Sequence, residues 1–458
     1  VCGGLDAFNH STGRRAGTAA ARGARGRLRV RRAVGRHRPA PAAVADPPRR
    51  DGVTVEIPGP EHGREAGSGH VSVPAAGRAT PARRLTGAAG AADGAVTAMV
   101  DNGPSADRLD VVVVGDGYTA DELEKFHADA RAKWDEVTAV EPYTTYRALF
   151  NVWTVDAVSA QSGVSGDPGP DTVRDTALGT YFWCEDIERL LCVDQTKVDA
   201  YVARAPEADL VLVLANSAKY GGAGYNEPSA TLGYEGISTA SAGHPKAGQV
   251  AIHETGHSLG KLADEYAYPG VPAYEKYTGP EPADTNISTL DAAAMADRRT
   301  KWYRWLGETS PDGGTVGAYE GGGYYVTGLR RPTDNSLMRI LGKPFNLPGV
   351  EAMIAGFHRH ANLVTALTPT DRVLGPRHTA KAAVPHLVGS RPPVVRWYLD
   401  GRELKRFEGR TEVRVADLWL FDLRSHRLSV TAEDPTQSVR DPAVARTLSS
   451  TVTWNVRL

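Results

Sequence analysis

Two histidines four residues apart, with a glutamate directly after the first, are the side chains in this sequence best placed to do chemistry: His253-Glu254-Thr255-Gly256-His257. On a helix, positions i and i+4 share a face, so both imidazoles can reach one Zn²⁺ ion. Glu254 projects beside them, where its carboxylate can take a proton from a zinc-bound water, and that is the machinery for hydrolysing an amide bond. A catalytic zinc needs a third protein ligand and leaves its fourth position to water. The carboxylate pair Asp264-Glu265 follows within a few residues, after Gly260, which is expected to stop the helix by a left-handed turn. The bland alternative is a helix whose histidines make core or surface hydrogen bonds and bind nothing.

The helix is expected on independent grounds. Gln249-Val250-Ala251-Ile252 supplies apolar residues upstream, and Leu259 falls seven positions after Ile252 on the same stripe. Earlier in the chain, Asp110-Val111-Val112-Val113-Val114 is an unbroken β-branched run, the pattern of a buried central strand. Gly115-Asp116-Gly117-Tyr118 turns the chain, and Thr119 with Glu122 forms a capping box for a helix carrying Leu123, Phe126 and Ala130. Strand, turn and helix in succession predict an α/β layer. A second buried strand is predicted over Asp209–Leu214, and further strand material at Thr231-Leu232-Gly233 and Ile237-Ser238-Thr239. Between them lies the glycine-rich Lys219–Gly224, which lacks the ending of a phosphate-binding loop and is better read as lining a substrate cleft through Gly221 and Gly222.

After the zinc motif, Trp302 and Trp305 are expected as core anchors. Asp334–Arg339 is a tight turn that presents Met338, and a helix is predicted from Val350 to about Leu367, with His358 and His360 on an ordinary face. From about residue 385 the pattern becomes all-β. Val394–Leu399 leads into an Asp400-Gly401 hairpin turn, and short alternating runs follow at 412–415, 427–431 and 450–456, predicting a small β-sandwich.

Bulk properties narrow the classes of function. A chain of 458 residues with 41% hydrophobic and 23% charged residues reads as a globular protein of two or three domains. Its formal net charge of -1 offers no case for nucleic acid, and no apolar run is long enough to span a bilayer. Residues 1–50 hold twelve arginines against two aspartates, filled out with Ala, Gly and Pro, and read as a disordered leader without an apolar signal core. Residues 51–100 read as a linker with one or two edge strands. Cys184 and Cys192, eight positions apart, are placed for a local disulfide, which suits an exported protein.

The assembled motifs resemble the IgA-specific metalloendopeptidases, secreted zinc peptidases of bacteria. The resemblance rests on Val114–Thr119, Asn216-Ser217 with Tyr220-Gly221-Gly222, His253–Tyr266, Tyr319–Tyr324, and Arg331-Pro332 through Met338. It covers residues 100–370. It implies zinc on His253 and His257, Glu254 as general base, and Met338 in a methionine turn beneath a metzincin-like site. The standard metzincin spacing is not kept, because Ala263 stands six residues after the second histidine. Asp264 is taken as third ligand and Glu265 as its alternative, whichever is not a ligand then orienting a ligating histidine. Tyr266 could support an oxyanion or simply pack.

The expectation is therefore an α/β (α+β) zincin-like catalytic domain over 101–375 and a C-terminal all-β sandwich domain over 385–458. The activity expected is that of a secreted, monomeric zinc endopeptidase acting on protein or peptide substrates. The alternative is a non-catalytic protein- or glycan-binding module on a degenerate peptidase scaffold.

Overall fold

The β-branched run becomes the centre of the molecule. In the computed structural model, which describes residues 93–458 together with the backbone of strands β1 (Val53–Glu56) and β2 (Val71–Val73), the chain continues through β3 (Val96–Val100) into β4 (Leu109–Asp116), whose eight residues are all buried. The leader expected over 1–50 and most of the expected linker lie outside the described residues. Helix α1 (Leu123–Thr138) follows the predicted Thr119/Glu122 capping box and buries Leu123, Phe126 and Ala130 against the sheet. It returns the chain to β5 (Phe150–Val155), which pairs parallel with β4.

Strands β6 (Leu210–Ala215), β7 (Gly222–Tyr225) and β8 (Ile237–Ser241) complete one mixed sheet in the order β2-β1-β7-β8-β6-β4-β5-β3. Its four central strands, β5, β4, β6 and β8, are parallel and, Trp153 apart, wholly buried, as strands covered on both faces must be. β7 runs antiparallel to β8 and lies on the side where the next helix, α2 (Ala247–Ser258), packs. Every residue of α2 but Gln249 is buried.

Three local readings differ from the pattern-based expectation. Thr231–Gly233 is a turn, not a strand, because Ser229 Oγ accepts from Thr231 N and Leu232 N and Gly233 adopts φ +83°. The predicted helix at 350–367 is α3 (Leu347–His360): the Asn346 side chain caps it at Gly349 N, and Ala361 leaves helical geometry so that Thr365–Ala366 can pair with 382–383. The left-handed residue after α2 is Lys261 at φ 50°, not Gly260. Gly260 is needed for close approach instead, since a Cβ there would lie 2.6 Å from Gly256 O and 2.8 Å from Met353 Sδ.

Beyond α2, β9 (Tyr319–Gly322) and β10 (Tyr325–Arg331) form a hairpin. Trp302 and Trp305 are buried, as anchors should be. The last part of the chain forms a three-stranded sheet (365–366, 379–383, 412–414) and a five-stranded sheet (373–374, 394–399, 402–403, 426–433, 449–456). Asp400 and Gly401 both take positive φ at the predicted hairpin turn. Trp397 and Trp454 stack at 5.7 Å, fully buried, each indole N–H donating to a backbone carbonyl. One apolar cluster runs without a break from β4 and α1 through Phe150 and Phe357 to these two tryptophans. The fold is thus mixed α/β with several sheets. Among the described residues no helix is long and apolar enough to cross a membrane.

His360, read from sequence as an ordinary face residue, clamps the end of α3 to the main sheet. Its Nδ1 lies 2.9 Å from Asp209 and its Nε2 2.9 Å from Glu235. Burial disfavours its charge, but the two carboxylates outweigh burial and push its pKa up to about 9. A raised histidine stabilises the fold fully below its unfolded pKa, roughly 6.5, and that contribution fades as pH rises through 9. His360→Gln should therefore lower the urea midpoint at pH 6 by an amount equivalent to on the order of 1–3 kcal/mol and much less at pH 9.5. An equal deficit at both pH values would show that the clamp does not depend on charge.

Candidate active site

The histidines of α2 face one another across one helical turn, their rings 4.9 Å apart and nearly perpendicular. His253 Nδ1 points at Leu337 O at 3.2 Å and His257 Nδ1 at Leu262 O at 2.6 Å. A carbonyl only accepts, so both Nδ1 atoms carry the proton and both Nε2 atoms present lone pairs. The two Nε2 atoms are 3.2 Å apart. Asp264 Oδ1 joins them, 3.0 Å from His253 Nε2 and 3.5 Å from His257 Nε2.

Three buried acceptors in a triangle with 3.0–3.5 Å edges repel one another unless a cation lies among them. One proton can bridge only a single pair. Ligands about 2.0–2.1 Å from a tetrahedral Zn²⁺ ion stand about 3.3 Å from each other, so the triangle has the size such an ion requires. Two imidazole nitrogens and a carboxylate oxygen are also a donor set that zinc accepts. His253, His257 and Asp264 are the metal-competent group found among the described residues.

The carboxylates of 264 and 265 divide their labour. Consecutive residues of an extended segment point to opposite sides. Asp264 turns toward the histidines, and its Oδ2 accepts from Tyr324 OH at 2.6 Å. Glu265 turns away, into Asn286 Nδ2 (2.9 Å), Asn346 Nδ2 (3.0 Å) and Ser336 Oγ. Burial pushes its pKa up to about 7 against those donors. Asn286 also brackets Ala263, accepting from its N–H and donating to its carbonyl, so the approach to Asp264 is held on both sides.

The turn carrying Met338 lies beneath α2. Leu337 O receives His253, and Met338 O receives Glu265 N at 2.8 Å. A methyl group on Gly256 would come 2.5 Å from Met338 Sδ, so the glycine inside the histidine motif makes room for the methionine. Tyr266 is buried in a cluster with Tyr268, Tyr274 and Tyr324, and its hydroxyl engages Tyr268.

Glu254 is fully buried beneath β7. A Cβ on Gly224 would fall 2.1 Å from Glu254 Oε2, so only glycine lets the strand pass over this carboxylate. Gly222, which opens this strand, and Gly221 just before it are also buried. Gly222 N already donates to Arg189 O at 3.2 Å, and Gly221 O accepts from Ser241 N. At Gly224 and Tyr225 the outer edge pairs with β1. The strand's contact with the site is thus made at Gly224, two residues beyond the glycines singled out from sequence. The loop leading to Arg189 is stapled by the Cys184–Cys192 disulfide. Tyr324, Gly224 and Asn286 were not assigned roles from sequence. Tyr324 lies in the glycine-rich run Tyr319–Tyr324, but nothing local to Asn286 marks it.

Residues 97–312 match the family model of the IgA Peptidase M64. Over that segment the chain is similar to this family. The M64 match contains the histidine motif, Asp264, Glu265 and β7, and it stops short of Met338, so it is narrower than the 100–370 suggested by motif resemblance. No curated protein matches the chain. That match supports a peptidase.

Tyr324→Phe removes the hydroxyl that orients Asp264 and leaves the ring in place. Retention of zinc against a competing chelator should weaken by about 10- to 100-fold. Unchanged retention would mean that the tyrosine only packs.

Proposed function

We propose that the chain is a secreted zinc-dependent metalloendopeptidase that hydrolyses peptide bonds of protein substrates. The observation that carries this reading is the meeting of His253 Nε2, His257 Nε2 and Asp264 Oδ1 beside the buried Glu254, in a segment similar to the M64 peptidase family. His253, His257 and Asp264 hold the metal, and Glu265 orients the loop that carries Asp264. Bound zinc supplies a Lewis acid that polarises the scissile carbonyl and lowers the pKa of a water toward about 7.

The rest of the work falls to side chains. Glu254 takes the proton of the attacking water and passes it to the leaving amine nitrogen. Its burial under β7 keeps bulk water from competing for that proton. Leu337 O and Leu262 O fix the tautomer of each histidine, so both Nε2 atoms stay available. Tyr324 fixes the rotation of Asp264. The Cys184–Cys192 bond supports export, because such bonds persist in oxidising compartments. Residues 101–375 are taken as a zincin-like catalytic domain and 385–458 as a β-sandwich domain of a monomeric enzyme.

Purified chain should carry one zinc and cleave an unstructured protein such as casein. Glu254→Ala should keep the zinc and lose turnover by on the order of 10³-fold or more. Asp264→Asn should lose zinc far more readily than Glu265→Gln. Equal loss from the two carboxylate variants would remove the distinction between ligand and support, and cleavage surviving in Glu254→Ala would end the reading.

A further inference from the structure

Asn226 follows directly after β7, and the mechanism above gives it nothing to do. The point where a Cβ on Gly224 would sit is 2.1 Å from Glu254 Oε2 and 3.1 Å from Asn226 Oδ1. The two side chains therefore both approach Gly224. Asn226 Nδ2 is buried and has no hydrogen-bond partner among the described residues. A buried amide N–H without a partner costs roughly 1–3 kcal/mol. Such a cost is tolerated where a ligand supplies the missing acceptor.

The chemistry of the acceptor follows from the surroundings. The donor is neutral, and its amide lies near a carboxylate that acts as base. A peptide whose scissile bond is presented to Glu254 brings the carbonyl oxygen of that bond toward this position. We infer that Asn226 is a catalytic residue that donates through Nδ2 to the carbonyl oxygen of the scissile peptide bond, where negative charge grows as water adds. This inference rests on the peptidase reading. A donor aimed at developing charge is worth more in the transition state than in the ground state, so its loss appears in kcat and little in KM. Asn226 gains no proton and loses none in the step.

The test compares the full-length wild-type chain with Asn226→Ala, Asn226→Asp and Asn226→Ser. Asn226→Asp keeps the shape and removes the donor, while Asn226→Ser keeps a shorter donor. On a quenched-fluorescence peptide, kcat should fall on the order of 10²-fold in Asn226→Ala and Asn226→Asp, with KM within about threefold and recovery in part in Asn226→Ser. Zinc content and thermal midpoint of each variant exclude a folding or metal-loss explanation. A second readout needs no turnover: affinity, by calorimetry, for a phosphinic peptide whose anionic oxygens mimic the hydrated carbonyl. Asn226→Ala should bind it at least tenfold more weakly, while its affinity for the uncharged parent peptide on a Glu254→Ala background changes less. Variants that keep zinc and fold, yet retain kcat within threefold and bind the phosphinic peptide as tightly as wild type, overturn the assignment. A wild-type chain that binds the phosphinic peptide through Asn226 but cleaves no peptide overturns the peptidase reading and leaves the donor standing.

Discussion

Three lone pairs are forced together in a buried space, and much of the surrounding structure answers to that constraint. Two imidazole nitrogens and a carboxylate oxygen within 3.5 Å of one another are unfavourable without a shared cation. Each donor must then be held from behind, and the restraints come from far along the chain. Leu337 O and Leu262 O hold the histidines, and Tyr324 holds Asp264. Asn286 and Met338 O hold the backbone on either side of Asp264. The support is almost wholly hydrogen bonding between buried groups, which gives direction that apolar packing cannot.

Glycines serve the same end by close approach. Gly256 admits Met338 under the helix, Gly260 lets the chain leave α2 against Met353, and Gly224 lets β7 cross over Glu254. None of these three needs a positive φ. Each is a place where one methyl group would displace a side chain of the site. The same tightness explains why α2 is buried on nearly all sides: its apolar face meets α1 and the sheet while its polar face meets the site.

Much was legible in the sequence where the signal is local. The β-branched run of β4, the Thr119/Glu122 capping box, the Asp400-Gly401 turn and the i, i+4 histidines depend on neighbours within a few residues. The cysteine pair, eight residues apart, could be read the same way. Readings failed where a remote or side-chain contact decided the backbone. Ser229 turned an apparent strand at 231–233, and pairing of 365–366 with 382–383 shortened α3. His360 looked like an ordinary helix-face residue because its partners, Asp209 and Glu235, are more than a hundred positions away.

What the sequence by itself determined is the chemistry on offer: two histidines on one helical face, a base beside them, and two adjacent carboxylates downstream. What only the tertiary structure decided is which carboxylate faces the histidines. Asp264 and Glu265 carry the same functional group, and consecutive side chains in an extended segment point opposite ways. The choice between the two orientations lies with Asn286, Tyr324, Ser336 and Asn346, which come from 21 to 81 residues further on and meet the pair only after folding. Tertiary contact likewise set Gly224 over Glu254, because close approach between a strand and a helix is a property of packing that spacing along one chain does not encode.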